Sequence, residues 1–98
     1  MEKMERIDHV AIVVNNINRA IEWYTTHRDC KVKYQDDTWA ILQFENIDLA
    51  LVLPHEHPPH IAFEDSAVGG DTHRDGSEYL YDHDTFGNII EKIKYKEK

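Results

Sequence analysis

The segment IDHVAIVV, residues 7–14, decides the fold. Most of its residues are β-branched, which favours a β-strand. Because alternate side chains of a strand point to opposite faces, His9 shares a face with Ala11. The opposite face is fully apolar and consists of Val10, Ile12 and Val14. We expect this apolar face to pack against a helix, and His9 to point away from that helix.

The expected helix follows directly in the chain. Asn15 and Asn16 interrupt the apolar run, and Asn16 is suited to cap a helix N-terminus. Apolar side chains then recur at the i, i+3, i+4 and i+7 spacing of one helical face, at Ile17, Ala20, Ile21 and Tyr24. The helix should end near residues 27–29.

Three short strands are predicted after the helix, at about residues 30–35, 38–45 and 47–53, with a tight turn at Glu45-Asn46. Pro54 ends the third, and the proline-containing HEHPPH that follows is expected to be an extended linker.

A second set of strands begins at His60. HIAF, EYLYDH and NIIEKIKYK are each predicted as a strand, with Gly87 and Asn88 in the last turn and a Gly/Asp-rich loop over residues 64–76. The order is thus β-α-β-β-β and then a shortened β-β-β. The similar openings IDHVAIVV and HPPHIAFE suggest a duplication, with modules at about residues 5–54 and 59–96 of a single domain.

Charge and composition exclude several classes of protein. The net charge of −8 argues against a nucleic-acid surface, which needs clustered Lys and Arg. We expect no membrane association, because no apolar run is long enough to span a bilayer. The single cysteine, Cys30, excludes an internal disulfide and predicts a cytoplasmic protein.

Two histidines and one glutamate from separate strands are the candidate metal ligands: His9, His60 and Glu91. Glu91 shares a strand face with Ile89 and Ile93, so it is the one acid on an otherwise apolar face. Burying it uncompensated would be costly, and a cation would remove that cost. Two imidazoles and a carboxylate are also the ligands of a facial metal triad, which leaves coordination positions open for substrate.

The ordered set IDHVAIVV, INRAIEWY, WAILQFENIDLALVLP, HIAF and DTFGNIIEKI resembles the vicinal oxygen chelate superfamily. This superfamily includes glyoxalase I, bleomycin-resistance and fosfomycin-resistance proteins, methylmalonyl-CoA epimerase and extradiol dioxygenases. The resemblance implies an α+β fold in which paired βαβββ modules form a cupped mixed sheet around a divalent metal. It places metal ligands at the positions of His9, His60 and Glu91.

The chain departs from that pattern in three places. The fourth-strand ligand position matches Ala50, which cannot bind a metal. We therefore expect a site with three protein ligands and do not expect glyoxalase I activity. The second module lacks room for its helix, which should leave apolar sheet surface exposed and predicts a homodimer. Asp29-Cys30 stands where a glycine is expected after the first helix.

Several further residues can be interpreted either as functional or as structural. Glu64 lies on the face of His60 and is the candidate general base. His55 and His57 would form a local metal cluster with His60, although the prolines of the linker splay such side chains and favour a solvated linker. Tyr79 and Tyr81 share a face and are candidates to hydrogen-bond a substrate oxygen, or are packed core aromatics.

Together with the candidate ligands, the resemblance implies a metal-dependent lyase, isomerase or dioxygenase acting on a small molecule that chelates through two adjacent oxygens. The cofactor would be one divalent ion of Fe, Mn, Ni, Co or Zn, because mixed nitrogen and oxygen ligation suits all of them. One alternative is a metal-free small-molecule-binding protein of the bleomycin-resistance type. Another is a partner-binding or regulatory domain that retains the fold.

Overall fold

The computed structural model describes residues 4–65, 71–72 and 77–95. Within them the protein is a mixed α+β structure whose elements, in chain order, are β1 Ile7–Val13, α1 Ile17–His27, β2 Lys31–Gln35, β3 Trp39–Gln43, β4 Asp48–Val52, β5 His60–Glu64, β6 Asp71–Thr72, β7 Glu78–His83 and β8 Ile89–Lys94. The predicted fold class is confirmed. The two-residue β6 is an additional strand in a segment that was expected to be loop, and it is too short to carry an alternating pattern.

The chain forms two compact units, which are described separately. The helical unit comprises His9–Pro59, and the C-terminal unit comprises His60–Lys98 together with Met1–Asp8.

Helix α1 has the two ends that the sequence predicts. The side chain of Asn16 caps its first turn, since Oδ1 accepts a hydrogen bond of 3.0 Å from the backbone N–H of Arg19. The helix stops at His27 because Arg28 takes an extended conformation, and its N–H donates to the Tyr24 carbonyl at 2.8 Å. Among the described residues, no helix is long and apolar enough to cross a membrane.

The strands of the helical unit lie in the order β2-β3-β4-β1. Strand β1 pairs with β4 in parallel, with Ala11 opposite Ala50, and β3 pairs antiparallel with both β4 and β2. The predicted turn at Glu45-Asn46 is confirmed, because the Phe44 N–H donates to the Ile47 carbonyl at 3.2 Å across it.

Helix α1 packs against one face of this sheet. The buried core there contains Ile17, Ala40, Leu42 and Leu51, with further apolar side chains packed around it, including Ile12, Val14, Ala20, Ile21 and Tyr24. The predicted helix stripe and the predicted apolar face of β1 therefore meet. The other face of the sheet carries a second buried cluster of Ala11, Ala50 and Val52, with Trp39 packed against it.

The C-terminal unit has the strand order β5-β8-β7-β6. Strand β8 pairs in parallel with β5 and antiparallel with β7, so Glu91 has Ala62 on one side and Tyr81 on the other. No helix lies within the described residues of this unit, in agreement with the predicted shortened module.

The hairpin between β7 and β8 is closed by one acidic side chain. Asp84 Oδ1 accepts hydrogen bonds from the backbone N–H groups of Phe86, at 2.8 Å, and Asn88, at 3.0 Å. Gly87 has a φ of +85°, a conformation that residues with a Cβ rarely adopt. Gly87 and Asn88 thus lie in a wide loop over residues 84–88.

Candidate metal centre

Glu91 is a buried acid in the middle of the C-terminal sheet. Strand alternation places it on the same face as Ile93, and the two neighbouring strands add Ala62 and Tyr81 beside it. Only 1% of Glu91 is exposed. A carboxylate in such a setting is expensive to keep charged unless a cation or a positively charged group compensates it.

The imidazole of His60 lies beside this carboxylate. His60 begins β5, is also buried, and lies two residues before Ala62 on the same strand face. Its Nε2 is 3.2 Å from Oε1 of Glu91. The small side chain of Ala62 leaves room for the glutamate to extend toward the imidazole. Two of the three predicted ligands therefore meet within the C-terminal unit.

The His60–Glu91 pair has two chemical readings. With His60 protonated, it is a buried ion pair. With His60 neutral, an imidazole nitrogen and a carboxylate oxygen both have lone pairs available to a shared cation. Such a mixed nitrogen and oxygen donor set fits Fe, Mn, Ni, Co or Zn. The donor chemistry and the burial both suit a metal ion, so the residues present are compatible with the predicted cofactor.

Two tyrosines line the same face of the C-terminal sheet. The ring of Tyr81 lies 5.2 Å from that of His60 at an interplanar angle of 72°, and the ring of Tyr79 lies 5.4 Å from that of Tyr81 at 70°. Burial, the charge of Glu91 and the neighbouring Tyr79 raise the pKa of Tyr81 far above its usual value of 10.0. Its hydroxyl therefore stays protonated.

His9 lies in the helical unit, on the sheet face opposite α1. It is buried, and the parallel ladder of β1 and β4 places Asp48 directly opposite it. Lys33 Nζ forms an ion pair of 2.8 Å with Asp48 Oδ2. The position of His9 away from the helix agrees with the expected strand parity. Its role as a metal ligand stays a prediction.

Glu64 lies at the opposite end of β5 from His60. Its Oε2 accepts a hydrogen bond of 2.9 Å from Nε of Arg6 in an exposed ion pair. Glu64 lies four positions after His60 along the strand, which is about 13 Å. Its role as general base stays a prediction, and a substrate that meets both residues would have to extend along the strand.

The linker histidines behave differently from His60. His55 is exposed, and its Nε2 is 3.8 Å from Glu56 Oε1. His57 is half-buried, with its ring 6.5 Å from that of Trp39. His55 is therefore solvated, as predicted, whereas the prediction of a solvated His57 is wrong. The prediction of an extended linker is also wrong at residues 54–56, which form a turn in which the N–H groups of Glu56 and His57 donate to the Leu53 carbonyl at 3.1 and 3.3 Å.

An acidic turn before β3 holds an aromatic pair in the helical unit. Asp36 Oδ1 accepts hydrogen bonds from the N–H groups of Thr38, at 2.8 Å, and Trp39, at 3.0 Å, and Asp36 Oδ2 accepts one from the Tyr34 hydroxyl at 2.6 Å. Burial alone would raise the pKa of Asp36, but these hydrogen bonds together lower it well below its usual range. The rings of Tyr34 and Trp39 pack at 4.5 Å beside this turn.

The family of the chain follows from a comparison with known families. The model of the Glyoxalase/Bleomycin resistance protein/Dioxygenase superfamily matches residues 6–73, which is more than half of the chain. The chain belongs to this superfamily. The match spans β1 and α1 through β5, so it includes the positions of His9 and His60 and confirms the resemblance that the sequence indicates. No curated protein matches the chain.

Several solved structures share the fold. A hypothetical protein from Bacillus halodurans C-125 is similar over 98% of each chain, with a TM-score of 0.82 and 18% identity. A Streptomyces coelicolor methylmalonyl-CoA epimerase variant in complex with 2-nitronate-propionyl-CoA is similar over 97% of this chain and all of its own, with a TM-score of 0.78 and 18% identity. A glyoxalase/bleomycin resistance protein/dioxygenase superfamily member from Vibrio splendidus 12B01 has a TM-score of 0.67 and 12% identity over 94% of this chain and all of its own. At these identities the likeness shows the fold.

Proposed function

We propose that this protein is a divalent-metal-dependent enzyme of the glyoxalase/dioxygenase type. Its substrate would be a small molecule that chelates through two adjacent oxygens, and its reaction a lyase, isomerase or dioxygenase step. The observation that carries the proposal is the buried contact of 3.2 Å between Nε2 of His60 and Oε1 of Glu91. A nitrogen and an oxygen ligand held together out of water are two thirds of the proposed ligand set.

The proposed third ligand is His9. Support comes from its burial, from its position on the strand face away from α1 and from the family resemblance. His9, His60 and Glu91 each offer one ligand atom of a kind that could hold a metal ion. Because Ala50 stands at the fourth-strand ligand position, we propose three protein ligands, with the remaining positions left for substrate and water.

When bound, the ion would supply Lewis-acid stabilisation of a developing enolate, or oxygen activation if it is iron. The chain's own residues have other tasks. The apolar neighbours of Glu91 exclude water, which strengthens its interaction with any cation. Tyr81 keeps its proton and presents a neutral hydroxyl. Glu64 is the proposed acceptor of a substrate proton, with Arg6 holding its carboxylate.

The decisive experiment is a measurement of metal content. Protein purified without a histidine tag should contain about one equivalent of divalent metal per chain, and His60→Ala should contain almost none. His83→Ala is the matched control, because His83 lies in the same unit but is exposed. A wild-type protein that stays metal-free after incubation with each of Fe(II), Mn, Ni, Co and Zn would rule the proposal out.

Substrate screening then separates the possible reactions. Hemithioacetals of α-ketoaldehydes, catechols and acyl-CoA epimers would each be tested with metal-reconstituted protein. The acyl-CoA class is included because a structurally similar protein is a methylmalonyl-CoA epimerase. Glu64→Gln should lower turnover of the accepted substrate at least tenfold while leaving metal content unchanged, as expected for a general base. Equal turnover in both proteins would remove Glu64 from the mechanism.

A metal-free small-molecule-binding protein is the second candidate function. The observation that favours it is the same contact, since a protonated His60 compensates Glu91 without any metal. Absence of metal from both wild type and His60→Ala, together with saturable binding of a small molecule, would support it over the enzyme.

We further propose that the protein is a homodimer in the cytoplasm. On the strand face opposite Glu91, Ile61 is 42% exposed and Leu80 is 46% exposed, and a second copy would cover such apolar surface. Sedimentation should give a dimer at micromolar concentration, and Leu80→Lys should shift it toward monomer. A monomeric wild type would contradict this assembly. Cell fractionation would test the location.

A further inference from the structure

We propose that Tyr81 is a positioning residue whose ring holds the imidazole of His60 in the orientation that directs Nε2 at Glu91. The expected effect of Tyr81 on metal binding rests on the proposed function. The effect of Tyr81 on the orientation of the His60 ring does not. In this positioning role the ring of Tyr81 acts, and its hydroxyl is not required.

The sheet register brings Tyr81 to this place. Tyr81 lies directly opposite Glu91 in the antiparallel ladder of β7 and β8, and Ala62 lies opposite Glu91 on the parallel side. Ala62 is too small to reach across the face. The nearest bulky side chain of β7 on this face therefore packs beside the ring of His60.

The contact between the two rings is of the edge-to-face type. Their centroids are 5.2 Å apart and their planes meet at 72°. Aromatic pairs prefer this geometry because the positive edge of one ring meets the negative face of the other. Rotation of the imidazole about its χ2 angle out of its present plane would break the contact and would also turn Nε2 away from Oε1 of Glu91.

Tyr79 extends the support by one more ring. It lies two residues before Tyr81 on β7, and the two rings form a second edge-to-face contact of 5.4 Å at 70°. Three rings in series, of Tyr79, Tyr81 and His60, are thus packed along one sheet face. A metal ligand must be held within about 0.5 Å and 10–20° of its working geometry, and packing of this kind supplies such restraint.

The test compares Tyr81→Phe, which keeps the ring, with Tyr81→Leu, which removes it. Asp82→Ala is the matched control, since Asp82 is the next residue on β7 and is exposed on the other face. NMR of the ¹⁵N-labelled metal-free proteins reports the imidazole resonances of His60, and a Co(II) titration followed by visible absorption reports metal affinity. Circular dichroism confirms folding, and Tyr81→Met replaces the leucine variant if that variant is unfolded.

We expect wild type, Tyr81→Phe and Asp82→Ala to share the ring-current-shifted His60 signals and to bind Co(II) within about twofold of one another. Tyr81→Leu should lose the shift and bind Co(II) about 10–100-fold more weakly, the usual loss when a group that orients a metal ligand is removed. The inference is overturned if Tyr81→Leu keeps both the His60 signals and the affinity of wild type. It is equally overturned if wild type shows no nuclear Overhauser effect between the rings of Tyr81 and His60.

The two proposals fail in different ways. A wild-type protein that binds no Co(II) would remove the proposed function, and the NMR comparison of the metal-free variants would still decide the role of Tyr81. Tight Co(II) binding in wild type and in Tyr81→Leu alike, together with unchanged His60 signals, would leave the proposed function standing and exclude Tyr81 as a positioning residue.

Discussion

Ala11 and Ala50 lie directly opposite each other in the parallel ladder of β1 and β4, and both are almost fully buried. Two methyl groups therefore stand side by side where the superfamily resemblance places a metal-binding side chain on the fourth strand. Val52 and Trp39 complete this apolar cluster. The helical unit thus contributes no ligand from β4 at Ala50, which is why the proposed site has three protein ligands.

Enlarging Ala50 should destabilise the protein. Ala50→Leu adds three carbons to a buried cluster beside Ala11, and overpacking of this kind costs about 1–3 kcal/mol. Urea denaturation followed by circular dichroism measures the loss in free energy of unfolding. Val32→Leu, which adds one carbon at an exposed position of β2, is the control and should stay within about 0.5 kcal/mol of wild type. Equal stability of Ala50→Leu and wild type would mean that the cluster around Ala11 and Ala50 can accommodate a larger side chain without strain.

Removing the charge of Glu91 should abolish the stabilisation that a metal provides. If the proposed metal binds, at 100 times its Kd it would stabilise the wild type by about 2.7 kcal/mol, and EDTA should reverse that gain. Glu91→Gln keeps the shape of the side chain but weakens metal binding, so its melting temperature should be nearly the same with Co(II) and with EDTA. Calorimetry measures both. The same Co(II)-dependent rise in wild type and Glu91→Gln would show that the metal binds elsewhere.

The side chain of Asn16, which caps the N-terminus of α1, should make its own contribution to the free energy of unfolding. Asn16→Ala removes the acceptor for the Arg19 N–H and should cost about 1 kcal/mol of unfolding free energy. Asn16→Asp keeps an acceptor oxygen and adds a negative charge at the positive end of the helix, so it should match or exceed wild type. Chemical denaturation of the three proteins ranks them. A destabilised Asn16→Asp would contradict the capping role.

The hydrogen-bonded carboxylate of Asp36 should make stability depend on pH. Its pKa in the folded protein lies below the usual value of 3.8, so its stabilisation is complete above that value and is lost as the pH falls toward the folded pKa. Asp36→Ala should therefore destabilise the protein at pH 7 and pH 5, and the difference from wild type should shrink below about pH 4.

The neighbouring acid provides the control for Asp36. Asp37 is exposed, and Asp37→Ala should be close to wild type at every pH. Urea denaturation at pH 7, 5 and 3 measures all three proteins. A loss in Asp36→Ala that stays constant down to pH 3 would show that the side chain acts by packing and not by its charge.

Much of the fold could be predicted because local chemistry and side-chain periodicity agree. Asn16 precedes a clean apolar stripe, so α1 and its first residue were both predictable. Strand parity placed Glu91 on a buried face and His9 away from the helix, and it did so without knowledge of any pairing. Strand β6 escaped prediction because two residues, Asp71 and Thr72, form no pattern, and they join the sheet only through pairing with β7.

The neighbours of Glu91 were harder to predict than its face. A two-residue turn at Gly87-Asn88 would have placed Asp84 opposite Glu91, and two acids side by side would repel. Asp84 instead binds the backbone of the loop and widens it to residues 84–88, which brings Tyr81 beside Glu91. Strand alternation predicts the sheet face on which a residue lies. Which residue of the neighbouring strand lies opposite it depends on the length of the connecting turn. For that reason the contact between Tyr81 and His60 was not predictable.

The position of β8 has a consequence for how the C-terminal unit is assembled. Although β8 follows β5, β6 and β7 in the chain, it lies between β5 and β7 and forms hydrogen bonds with both. Until Ile89–Lys94 has been synthesised, β5 and β7 lack their shared neighbour, and His60 lacks its carboxylate. The order of translation therefore delays completion of the candidate centre until the β7–β8 hairpin has formed and docked on β5.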